Sequence, residues 1–214
     1  MIAYGPVPSR RLGQSLGINN IPAKVCSYDC VYCQLGSTTV LQHKPRQFYS
    51  PKKICSEVQK KIRQAEIYHE PIDYLTFVAD GEPTLDIRLG QTIALLKSFG
   101  IKVGVISNGS LLWSSSVRQN LLEADWVSLK IDVFQKKTWH QLNCPHKGLR
   151  WRTVLEGMLR FADSYLGMLV TETMLVQGCN TDEVQMRHVR DFIGLLNPAA
   201  AYIAIPTRPP ACSR

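Results

Sequence analysis

From residue 14 onward, short β-rich runs alternate with segments whose apolar residues recur at helical spacing, and this alternation constrains the fold more than any single residue does. Strands are expected at 14–18, 74–79, 102–107, 126–133, 168–176 and 201–206, while 34–50 reads as polar and irregular. Ser50-Pro51 opens a helix that Ile54, Val58, Ile62 and Ala65 carry to about residue 68. Leu89, Ile93 and Leu96 mark a second helix, closed by Gly100. Further helices are expected over 115–123, 135–142, 150–164 and 181–196. Six mostly parallel strands with outer helices make an α/β fold, either open or curled into a partial (β/α)6 barrel. With no internal repeat or Gly/Ser linker, one domain spanning 1–214 is the expectation.

In such a fold the reacting groups gather at the C-terminal ends of the strands. Glu82 follows one strand end and Asn108 another, and Glu172 sits in a strand otherwise made of apolar residues and threonines. Period-two alternation in 126–133 sends Val127, Leu129, Ile131 and Val133 to one face and Ser128, Lys130 and Asp132 to the other. If helices cover the first face, Lys130 and Asp132 look into the barrel with Glu172. A buried carboxylate needs a partner or a ligand, so these three are either an internal ion-pair network or substrate contacts.

The 214 residues, 45% hydrophobic and 20% charged, can bury a sizeable core, which excludes a disordered, collagen-like or coiled-coil chain. The longest apolar runs are a few residues, far below the roughly 20 that cross a bilayer. Met1 to Gly13 carries Pro6, Pro8, Arg10 and Arg11 and lacks the apolar stretch of a secretory signal, so a cytoplasmic location with no membrane partner is expected. The net charge of +8 lies entirely in residues 1–63, with ten Lys/Arg against Asp29 and Glu57. Basic residues within 10–63 therefore mark a surface for tRNA or another anionic substrate, unless they are the solvated face of one helix.

An odd number of cysteines, seven, argues against a disulfide framework. Cys55, Cys144, Cys179 and Cys212 are dispersed, whereas Cys26, Cys30 and Cys33 form a compact CxxxCxxC. Three thiolates can hold three irons of a cubane cluster and leave the fourth open to a ligand. The alternative is a zinc site completed by a histidine, for which His43 is nearest in sequence.

These residues resemble the radical S-adenosylmethionine (SAM) enzymes, whose signature is CxxxCxxC with an aromatic residue before the last cysteine, here Tyr32 before Cys33. The family's Gly-Gly-Glu segment is matched by Asp80-Gly81-Glu82-Pro83. Gly5-Pro-Val-Pro-Ser-Arg-Arg-Leu-Gly13 together with the cysteine loop looks like small members related to wyosine-tRNA synthases.

The resemblance implies a [4Fe–4S] cluster on Cys26, Cys30 and Cys33 whose open iron chelates SAM. An external one-electron donor would reduce the cluster, and SAM would split to methionine and a 5′-deoxyadenosyl radical that abstracts hydrogen from a substrate. Gly81, Glu82 and Pro83 would meet SAM's amino group, and Ser107 and Asn108 its ribose or carboxylate. Tyr32 and the Ile203–Ile205 strand, Ile205 included, would pack on adenine. Lys130, Asp132 and Glu172 become candidates for substrate contact, with Lys130 as a base or Schiff-base nucleophile if burial removes its proton. Arg10 and Arg11 would bind an anionic group.

No cysteine precedes Cys26, where the wyosine-forming enzymes carry a second cluster, so their pyruvate-joining reaction is not implied. The chain ends at Pro206 to Arg214, where relatives continue into a segment over the substrate; a minimal or a shortened protein is expected. The same chemistry on a peptide or small metabolite, and a catalytically silent cluster-binding protein, are the competing readings.

Overall fold

The computed structural model describes residues 1–207, so Cys212 lies outside the described residues. Nine strands and six helices are described: β1 (Ala3–Ser9), β2 (Gly13–Ile18), β3 (Val25–Cys26), β4 (Val40–Leu41), α1 (Pro51–Ile67), β5 (Tyr74–Phe77), α2 (Leu89–Lys97), β6 (Lys102–Ser107), α3 (Ser115–Leu122), β7 (Trp126–Lys130), α4 (Lys136–Leu142), α5 (Trp151–Ser164), β8 (Met168–Met174), α6 (Glu183–Leu196) and β9 (Ala200–Ala204). The main sheet runs β1-β2-β5-β6-β7-β8-β9. All its pairings are parallel except β1 with β2. The six expected parallel strands are present, and β1 corrects the count to seven.

β1 escapes a pattern reading because Gly5, Pro6 and Pro8 look like loop residues. They are tolerated because β1 is an edge strand, whose pairing with β2 shifts register between Tyr4 and Val7. Four strands are shorter than expected, β5 stopping at Phe77, β7 at Lys130, β8 at Met174 and β9 at Ala204. At the end of β7 the backbone turns to other partners, with the Asp132 carboxylate accepting from Met174 N–H at 2.9 Å. The irregular stretch 34–50 contains β4, paired with β3 beside the first cysteine.

The helices form where local chemistry and burial agree. Ser50 caps α1 by accepting from Lys53 N–H, Pro51 supplies a preset φ at the first turn, and Ile54, Val58 and Ala65 bury one stripe. In α5, Val154, Met158 and Phe161 bury the inward stripe, and full burial of Phe161 alone is worth about 2–3 kcal/mol in transfer free energy. The sheet therefore has two different faces. Leu75, Phe77, Val103, Val105, Val127 and Leu129 join the large core under the helices. Leu12, Trp126 and Val170 form a smaller cluster on the opposite face, with Tyr74, Ile106 and Tyr202 packed against it. Ser128 and Lys130 follow Trp126 at period two and share that inner face, as the alternation predicts.

Candidate active site

The cysteine loop leaves β3 and is held over the ends of the parallel strands by backbone hydrogen bonds. Glu82 N–H donates to Val25 C=O at 3.1 Å, and Val31 N–H to Leu142 C=O at 2.9 Å. Gly81 is required at this junction. A Cβ there would stand 2.0 Å from the Val25 carbonyl oxygen, so only glycine lets the turn after β5 press against the residue preceding Cys26.

Glu82, 1% exposed, is the hub of the junction. Its carboxylate accepts from Thr84 N–H at 3.1 Å, Ser107 Oγ at 2.7 Å and Asn108 N–H at 2.8 Å. Burial raises its pKa, and these donors oppose the rise without cancelling it. Asn108 then reaches the cysteine loop, its Nδ2 donating to Ser27 Oγ at 2.9 Å and approaching Cys26 Sγ at 3.7 Å. Pro83 is buried and its carbonyl accepts from Asn20 Nδ2 at 3.0 Å. The ends of β5 and β6 are thus wired to the first cysteine.

A second network lies inside the sheet. Register pairs Lys130 of β7 with Glu172 of β8, and Lys130 Nζ stands 2.8 Å from Glu172 Oε1. Arg11 reaches the other oxygen of Glu172, and its guanidinium lies 4.4 Å from the centroid of Tyr202. Lys130 also sits 5.2 Å over the Tyr32 ring, and the Tyr32 hydroxyl donates to Asp132. Asn143 Nδ2 donates to Asp132 at 2.8 Å and to Cys30 Sγ at 3.5 Å. Burial alone would lower the Lys130 pKa, but Asp132 and Glu172 outweigh it and raise it. Burial likewise pushes Glu172 up, yet Lys130 and Arg11 bring it below the usual carboxylate range. Both shifts describe one ion pair, charged at neutral pH.

The fold therefore brings together Cys26, Cys30, Tyr32, Gly81, Glu82, Pro83, Ser107, Asn108, Lys130, Asp132 and Glu172 in two connected networks, with Cys33 on the same loop, its N–H donating to Cys30 C=O at 3.0 Å. Ile205 follows β9 and is exposed, outside both networks. Sequence reasoning missed Asn143, which joins Asp132 to Cys30, and read Arg11 as an anion site although Glu172 takes it up. A signal for Asn143 exists in its place next to the Cys144-Pro145 break, but nothing local pairs it with a cysteine 113 positions away. Cys144 also proves close, lining one small cavity with Cys30 and Cys33.

The donor set fits an iron–sulfur cluster. Amide groups of Asn108 and Asn143 approach two of the three sulfurs, an outer-shell arrangement that supports thiolate ligands. Among the described residues no three His, Cys, Asp or Glu groups converge on a point that one metal ion could occupy. His43 does not turn toward the cysteines; it stacks on His146.

Residues 20–188 match the model of the radical SAM superfamily. The chain belongs to the radical SAM superfamily. Members of this enzyme family use a [4Fe–4S] cluster and SAM, and the α/β sheet with surrounding helices is their partial-barrel fold. A UPF0026 protein of Methanocaldococcus jannaschii is 49% identical over 210 residues, covering 98% of this radical SAM chain and 65% of that relative. The chain thus spans about two thirds of the relative's length. An S-adenosylmethionine-dependent nucleotide dehydratase of Lacinutrix mariniflava is 30% identical over 112 residues, covering 52% of the chain and 22% of that protein. Among solved structures, TYW1 with a lysine–pyruvate adduct bound aligns with a TM-score of 0.68 at 16% identity, over 91% of this chain and 65% of that one. Among the described residues, no helix is long and apolar enough to cross a membrane.

Proposed function

We propose that this radical SAM protein holds a [4Fe–4S] cluster on Cys26, Cys30 and Cys33 and binds SAM between the Gly81-Glu82-Pro83 turn and Ser107–Asn108, acting on a nucleotide-bearing substrate, tRNA foremost. When bound, the cluster and SAM supply reductive C–S cleavage, fed by an external one-electron donor, to methionine and a 5′-deoxyadenosyl radical that takes hydrogen from the substrate. The observation that carries the reading is the wiring of Glu82 through Asn108 to Cys26.

The chain's own residues have distinct tasks. Glu82, saturated by protein donors, is a positioning residue that fixes the Asn108 backbone and, through it, the Asn108 amide on the cysteine loop. Asn143 does the same for Cys30 from the other side. Lys130 and Arg11 together hold the Glu172 carboxylate inside the barrel, Lys130 Nζ at 2.8 Å from it. Tyr32, buried on the cysteine loop, is fixed by its bond to Asp132; Ile205 is exposed and free to cover adenine from the β9 side. A nucleotide substrate is favoured by the basic first third of the chain and by the nucleotide chemistry named for one relative.

Anaerobic reconstitution should give about four irons per chain, and dithionite with SAM should then release 5′-deoxyadenosine. A fully loaded protein that releases none refutes the proposal. A peptide or small-metabolite substrate is favoured instead if turnover is unaffected by RNA.

A further inference from the structure

The segment 42–46 takes no part in the networks above, yet it is built onto them at both ends. Gln42 N–H donates to Cys26 C=O at 2.9 Å, and Arg46 exchanges hydrogen bonds with the stretch after Glu82, its N–H to Leu85 C=O at 2.8 Å and its C=O from Ile87 N–H at 3.1 Å. From the other side, His146 N–H donates to Ser27 C=O at 2.9 Å. The rings of His43 and His146 stack with centroids 4.3 Å apart and planes 29° off parallel. Gly148 N–H donates to His146 Nδ1 at 2.9 Å, which makes Nδ1 the acceptor and leaves Nε2 to carry the proton. A Cβ at Gly148 would lie 2.5 Å from His43 Cε1, so the missing side chain makes room for the pair.

Together with Gln42, Lys44, Pro45 and Arg46, the two rings line a groove of about 330 Å³, within the roughly 300–1,000 Å³ of small-molecule sites. None of the lining residues is acidic, and neither Lys44 nor Arg46 forms an ion pair with a described residue. Cations and rings continue along the chain, Arg46 lying 4.8 Å from the Phe48 centroid and Lys53 5.3 Å from that of Tyr49.

We propose that this groove binds a nucleotide unit, its phosphate on Lys44 and Arg46 and its base against the His43–His146 pair, within an RNA strand or as a free nucleotide. Unpaired cations supply the phosphate contact, and flat ring faces supply stacking that every base can use but a carboxylate cannot. The site deepens the substrate reading above and rests on it only for the view that the bound nucleotide is the substrate. The anchoring to Cys26 and Leu85 holds such a ligand beside the candidate reaction centre.

The test uses the full cluster-loaded chain without SAM or reductant, so binding is read independently of radical chemistry. Labelled single-stranded oligoribonucleotide is titrated by fluorescence anisotropy and AMP by calorimetry. Lys44→Gln with Arg46→Gln, both exposed, should weaken binding about tenfold and reduce the slope of log affinity against log salt by about 1.4, at about 0.7 per phosphate contact on a single strand. His43→Ala with His146→Ala should weaken binding about tenfold or more and leave that slope unchanged. Arg187→Gln with Arg190→Gln, exposed on α6 and outside the basic first third, should bind as the parent does. Groove-dependent binding of either probe supports the site and identifies which source fills it. The proposal is overturned if neither probe binds, if both groove variants bind as the parent does, or if polyglutamate of equal charge displaces the RNA equally well.

Discussion

Replacing Glu172 by glutamine removes one charge from between two cations that the fold has already drawn out of water. Glu172 is 14% exposed, Arg11 20% and Lys130 21%, with Lys130 Nζ 2.8 Å from the carboxylate. Breaking a fully buried pair costs about 3–5 kcal/mol because the remaining charge is left uncompensated; with a fifth of each cation still wet, about 2–3 kcal/mol is expected here. In a chain of this size that corresponds to a melting temperature lower by roughly 4–12 °C.

The sign of the pH dependence gives a second check. The folded-state pKa of Glu172 is depressed, so its contribution is present above the unfolded carboxylate pKa and lost as pH falls through the folded value. Lys130 is raised, so its contribution is complete below the unfolded lysine pKa and is lost only as pH climbs through the folded one. The neutral range is therefore flat for both. Urea unfolding of parent and Glu172→Gln should show the full gap at pH 7 and a closing gap from about pH 5 to pH 3. A gap below about 0.5 kcal/mol at pH 7, or one that stays constant on acidification, refutes the ion-pair account.

Gly81→Ala should displace the cysteine loop, because its Cβ would meet the Val25 carbonyl at 2.0 Å; iron per chain after reconstitution should fall by more than half while the apoprotein keeps its helical circular dichroism. Asn108→Ala removes the amide contacts to Ser27 and Cys26 and should cut 5′-deoxyadenosine release about tenfold, the worth of a hydrogen bond of about 1.4 kcal/mol, with Asn108→Asp failing to restore it because a carboxylate cannot donate. Asn180, 1% exposed, donates to the carbonyls of Asp132 and Met174 and accepts from Val176 N–H. Its alanine variant leaves three backbone groups unmatched and should lose about 2–4 kcal/mol in denaturant unfolding.

Much of the fold could be read locally. Helix α1 announces itself through a cap and an apolar stripe, α5 through its stripe alone, and the six parallel strands through β-rich runs closed by polar turns. The inner placement of Lys130 followed from period two in β7. What defeated local reading were features whose reason lies elsewhere in the chain. β1 survives its prolines only because it has one neighbour, and the irregular 34–50 becomes ordered because β4 finds β3.

The sequence alone determined the chemistry at stake. Spacing of Cys26, Cys30 and Cys33 and the turn at Gly81–Glu82 are short-range patterns, and short-range patterns survive without a third dimension. Tertiary structure decided the partnerships. Arg11 meets Glu172 across 161 positions and Asn143 meets Cys30 across 113, while His43 leaves the cysteines to stack on His146. Buried charges and amides must find partners wherever the sheet brings them, and sequence distance carries no information about which strand ends will meet.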